Sequence, residues 1–148
     1  MQKIKTLLAL GALLGSAAAY AGPQSSCNSS TVEGTYAYQG SGWITTVGSP
    51  TTRTPINFVG VRQFNANGTF TTPYSLAVID GGTAVPSTTG GTYSVSDTTP
   101  SSKGTCVVND TQGLYTHAGV TSDNGNHISF ISTASGNTIS WEYVRVSR

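Results

Sequence analysis

The stretch Phe64-Asn65-Ala66-Asn67-Gly68-Thr69-Phe70 (FNANGTF) decides how this chain folds. Two phenylalanines flank an Asn-Gly, and the turn between them sets whether the rings share a face. A two-residue type I′ turn at Asn67-Gly68 pairs Asn65 with Phe70 and sends the rings to opposite faces. A three-residue loop, Ala66-Asn67-Gly68, with Gly68 left-handed in a G1 bulge, pairs Asn65 with Thr69 and sets Phe64 against Phe70. One residue of register decides which face is apolar. Two buried rings outweigh a small turn preference, so the three-residue loop is expected. Phe58, Phe64, Phe70, Tyr74, Leu76 and Val78 then fall on one face, with Asn57, Gln63, Thr69, Thr71 and Ser75 on the other.

The same test applies downstream. In VTSDNGNHISF the loop Asp123-Asn124-Gly125 sets Val120 against Ile128 and groups them with Leu114, Ala118 and Phe130. In ISTASGNTISWEY a two-residue loop, Ser135-Gly136, pairs Phe130 with Trp141 and Ile128 with Tyr143. No segment after the leader keeps a 3.6-residue apolar period; alternation with Gly, Pro, Asn and Asp punctuation runs throughout. The chain is therefore all-β. Eight or nine strands are expected at 33–39, 42–47, 56–64, 69–79, 90–96, 105–109, 113–121, 127–133 and 138–146, with polar connections at 48–55, 80–90 and 97–104. So large an antiparallel sheet curls, and closure removes its edges. An eight- to nine-stranded antiparallel up-and-down barrel is the first expectation and a two-sheet sandwich the alternative.

Residues 1–21 read as a secretory signal peptide, and 22–148 as one barrel domain. Lys3 and Lys5 precede the apolar run Leu7 to Ala19, and Ala19-Tyr20-Ala21 has the small-x-small pattern of a cleavage site. The expected location is secreted or periplasmic. Without those two lysines, five Lys+Arg face six Asp+Glu, with no basic cluster. Nucleic acid and anionic membranes are thus poor partners, and no segment is long enough to span a bilayer as a helix. Cys27 and Cys106 are the two cysteines; in an oxidising compartment they read as one structural disulfide closing a loop of about 80 residues.

Gly34-Thr35-Tyr36 resembles the first-strand G-x-W of the lipocalin and calycin barrels, with Tyr in the Trp position. Arg145, after Trp141 and Tyr143 on the last strand, resembles the late basic residue of that superfamily. The spacing of F-x-x-x-G-x-F, of G-x-Y at 91–93 and of the ISW-type final strand is similar to small bacterial lipocalin-like domains. By this resemblance Gly34, Tyr36 and Arg145 close one end of the barrel, with Arg145 stacked on Tyr36.

An aromatic-rich inner face either fills an eight-stranded barrel or lines a site for one small ligand. Tyr38, Arg62, Tyr74 and Tyr93 are the candidate ligand contacts. Arg62 shares the face of Phe58 and Phe64. Either a bulge at Gly60 turns it outward, or it enters the lumen toward a tyrosine, a carboxylate or a bound anion. His117 and His127 fall on the polar face about four residues apart along their strands, more than about 13 Å, which excludes a shared metal. Asp80, Asp97 and Asp110 fall in loops. There is no G-x-S-x-G, H-E-x-x-H, phosphate loop or Cys-His set, so neither an enzyme, a metal nor a cofactor is expected. The functional expectation is an exported barrel binding a small apolar or aromatic molecule. The alternative is a filled barrel presenting Ser/Thr/Gly-rich loops to a protein or envelope partner.

Overall fold

The computed structural model describes residues 26–45, 52–102 and 104–148. The signal-peptide reading of residues 1–21 lies outside the described residues. Eight antiparallel strands form a closed barrel in simple chain order, with β8 returning to β1. They are β1 (Gly34–Thr45), β2 (Arg53–Phe64), β3 (Thr69–Ile79), β4 (Val85–Ser102), β5 (Thr105–Gln112), β6 (Tyr115–Ser122), β7 (His127–Ser132) and β8 (Thr138–Ser147). A single helical turn, α1 (Ser29–Val32), precedes β1, capped by the Asn28 side chain. Every strand has a partner on both sides, which rules out an open sandwich.

The deciding hairpin takes the three-residue loop. Phe64 pairs with Phe70, and the Asn65 N–H donates to the Thr69 carbonyl at 2.8 Å. Gly68 has φ +80°, a left-handed conformation that glycine reaches without strain. Both rings are buried, with centroids 5.9 Å apart. The pairings of Phe130 with Trp141 and Ile128 with Tyr143 also hold.

Four expectations give way. First, the expected break between 39 and 42 is absent, and Gly34–Thr45 is one strand. Gly40 and Gly42 sit in continuous ladders with both β2 and β8, so the glycines do not end β1. Second, 80–90 and 97–104 are mostly strand. β4 pairs along its first half with β3 and along its second half with β5, and its Ser/Thr-rich sequence hides this because ladder bonds, not apolar alternation, hold it. Third, β3 bulges between Thr72 and Ser75, one residue longer there than either neighbour. Pro73, with no N–H to give the ladder, sits inside this bulge. The phase flips beyond it: Thr72 is buried, while Tyr74 is 51% exposed. Leu76 and Val78 follow Tyr74 onto the other phase. Fourth, Ser122 pairs with His127, so four residues rather than three cross from β6 to β7. Asp123 and Asn124 both have positive φ there, in a 3-10 turn. Thr121, not Val120, then faces Ile128, and Val120 is half exposed.

The lumen fills from one end. Around Val32 pack Tyr36, Phe64, Phe70, Tyr93, Val108 and Ile128, followed along the axis by Tyr143, Phe130 and Trp141. The rings meet mostly edge to face, with Phe64 at 5.5 Å from Tyr36 and 5.0 Å from Tyr93. Each such pair adds about 0.5–1.5 kcal/mol to its burial.

Candidate functional site

The α1 end of the barrel is latched shut. The Arg145 guanidinium lies 5.1 Å from the Tyr36 ring centre. Its Nε donates to the Tyr36 hydroxyl at 2.9 Å, and its other nitrogens donate to Asn126 Oδ1 and the Thr31 carbonyl. The Tyr36 hydroxyl in turn donates to the Gly125 carbonyl at 2.6 Å. Gly34 permits this closure, because a Cβ there would meet the Ser147 carbonyl oxygen at 2.6 Å. Cys27 is bonded to Cys106, with Cα atoms 5.7 Å apart, which fastens the segment before α1 to β5. Tyr93 also belongs to this end. Its hydroxyl donates to the Asn65 carbonyl at 2.6 Å, with the Ser29 carbonyl at 3.2 Å. Burial pushes its pKa up to about 12. Tyr93 is thus tied into the sealed end, and Tyr74 is half exposed on the wall.

Above the packed rings lies a polar layer. Arg62 points inward and is 5% exposed; no bulge at Gly60 turns it out. Its Nη1 donates to Asp110 Oδ2 at 2.8 Å, its Nε donates to Thr72 Oγ1 at 3.0 Å, and its Nη2 donates to Gln112 Oε1 at 3.0 Å. The guanidinium also lies 4.0 Å from the Phe70 ring centre. The other Asp110 oxygen contacts His117 Nδ1. Asp110 as carboxylate is acceptor only, so Nδ1 carries the proton and donates. Among the described residues Nε2 has no hydrogen-bond partner. The imidazole packs edge-on against Trp141, centroids 4.7 Å apart. Tyr38 is buried beside this layer, 5.0 Å from the Tyr143 ring. The Tyr143 hydroxyl is fully buried with no hydrogen-bond partner at good geometry. Desolvation pushes its pKa up, against an opposing pull from Arg62.

The register explains why His117 was misplaced. A slip of one residue between β6 and β7 exchanges the faces of β6, moving His117 from solvent to lumen. Asp110 was misplaced because β5 runs on through Gln112, so Asp110 continues the inward series Cys106, Val108. That alternation was the available signal; Gln112 and Thr72 carried none.

His117 stands at the floor of a cavity of about 570 Å³ at the end of the barrel opposite α1. Ile44, Ile56 and Ile139 contribute inward side chains, and Leu114, Tyr115 and the β7–β8 turn form the rim. A volume of this size falls in the range of small-molecule sites, about 300–1,000 Å³. A second hollow of about 500 Å³ lies chiefly against outward residues, among them Gln39, Asn57 and Leu76. It has no buried charge behind it. Among the described residues no group of three His, Cys, Asp or Glu could hold a metal ion, and no helix is long and apolar enough to cross a membrane. No family model, no curated protein and no solved structure matches this chain. What stands is the architecture: a closed eight-stranded antiparallel barrel, compatible with a calycin-like fold, sealed at one end and hollow at the other.

Proposed function

We propose that this protein is an exported, lipocalin-like carrier that holds one small apolar or aromatic molecule in the open end of its barrel. The observation behind it is the cavity of about 570 Å³ walled by Ile44, Ile56 and Ile139 over His117, with Thr45, Ser132, Ser135 and Asn137 supplying further polar groups to its lining. Apolar walls with few convergent polar groups are the usual make-up of a small-molecule site. The reading is a binder rather than a catalyst. His117 has an Asp behind it, but among the described residues no hydroxyl or thiol is hydrogen-bonded to its Nε2, as nucleophile activation requires. Export is supported by the leader-like N-terminus and by the disulfide, which persists in oxidising compartments.

A competing reading draws on the ring-packed lower lumen: a filled barrel whose Ser/Thr/Gly-rich loops meet a protein or envelope partner. Titration with a fluorescent naphthalene dye separates the two. The carrier binds it saturably at one site per chain, and Ile139→Trp, which fills the cavity, abolishes binding without unfolding the barrel. Dye binding that never saturates, or that Ile139→Trp leaves unchanged, refutes the carrier.

A further inference from the structure

The polar floor also constrains the head group of the cargo. Resting on the carrier reading, we infer that the cavity selects an apolar molecule ending in an acidic group, a carboxylate or a phenolate, held by His117 Nε2. Both Asp110 oxygens are already engaged, one by Arg62 and one by His117 Nδ1. Asp110 is also fully buried and lines no part of the cavity, so it is out of reach of a cationic head, and histidine cannot become an anion. A ligand ammonium would meet no carboxylate among the residues lining the cavity and so would lack a counter-ion, which is costly. An acidic head has a route to neutrality. His117 can take up a proton at Nε2, forming an imidazolium whose Nδ1–H stays on Asp110, with Arg62 holding Asp110 from the other side. The head group then accepts a charge-assisted hydrogen bond, roughly twice as strong as a neutral one. An alcohol gains only the neutral bond. Arg53 and Asp80, both at the ends of strands near this rim, carry opposite charges, so the rim itself selects neither sign. The isoleucine walls hold the tail by burial alone.

The test compares three probes of equal tail length, octanoate, octanol and octylamine, by calorimetry on the mature, disulfide-bonded chain. Octanoate is expected to bind about tenfold or more tighter than octanol, with octylamine weakest. Repeating the octanoate titration in buffers of different ionisation enthalpy should reveal net proton uptake. His117→Gln keeps hydrogen-bonding capacity but cannot hold a proton. It should lower octanoate affinity to that of octanol and leave octanol unchanged. If that variant does not fold, the probe ranking and the proton uptake in the natural chain decide alone. Equal binding of all three probes, or octanoate binding without proton uptake, overturns the acid-head inference and leaves the carrier standing. Failure of all three to bind overturns both.

Discussion

Replacing Asp110 with Leu should cost far more than removing the whole charged pair. Asp110 and Arg62 are 1% and 5% exposed, and their contact is 2.8 Å. Removing one member leaves the other as an uncompensated buried charge, a loss of about 3–5 kcal/mol. Arg62→Met should cost a similar or slightly smaller amount, because His117 remains to donate to Asp110. In the double variant no buried charge is left. What remains is the loss of the Arg62 bonds to Thr72 and Gln112 and of the Asp110 bond to His117, at about 1 kcal/mol each, partly offset by the apolar replacements. The double should therefore lose about 1–3 kcal/mol, well under the sum of the singles. Set against a total stability of about 5–15 kcal/mol for a domain, either single change removes a large share. Urea unfolding of the four proteins, followed by far-ultraviolet circular dichroism, gives the cycle directly. Single-variant losses that add to within about 0.5 kcal/mol in the double would show that the two groups do not interact, and the polar layer would not exist as described.

Three further outcomes follow from the closed end. Changing both Cys27 and Cys106 to Ser should lower stability by about 4 kcal/mol, from chain entropy across a separation of 79 residues, measured by urea unfolding under matched conditions. Gly34→Ala should cost roughly 2 kcal/mol or more by thermal melting, since the new methyl meets the Ser147 carbonyl oxygen at 2.6 Å and φ is +140°. Alkaline pH should unfold the protein. The Tyr93 pKa is raised from 10.0 to about 12, and burial also raises Tyr36 and Tyr143. A raised folded-state pKa means the unfolded chain loses its proton first. That contribution is intact below pH 10 and is lost as pH climbs toward 12. Tyrosinate absorbance should rise together with unfolding in that window, and Tyr93→Phe should flatten the decline; tyrosinate forming while the barrel stays folded would contradict this.

The sequence carried the hairpins whose two candidate registers differed in buried rings. Phe64 against Phe70, and Phe130 against Trp141, each had an aromatic pair at stake, so the register was legible. The β6–β7 crossing offered no such contrast. Val120 opposite Ile128 looked better than Thr121, yet Thr121 is the buried one. Its hydroxyl accepts from the Cys106 N–H at 2.8 Å on the neighbouring strand, a need that hydrophobic patterning does not register. His117 went to the wrong face with it. The bulge at Pro73 had a local sign, a proline within a paired strand, but its effect on Tyr74 depends on where the extra residue falls. Arg62 was conspicuous because an arginine between two inward phenylalanines demands a partner. Its partner was not legible, since Asp110 lies 48 residues away on β5, with β3 and β4 between the two strands.

The most direct test of the two-ended lumen is crystallography with a heavy-atom cargo. Crystals soaked in para-iodobenzoate should show one strong anomalous peak among Ile44, Ile56 and Ile139, with the carboxylate at hydrogen-bond distance from His117 Nε2. Iodine found only on the outer wall beside Gln39 and Asn57, or a mouth closed by its own side chains, would contradict the account.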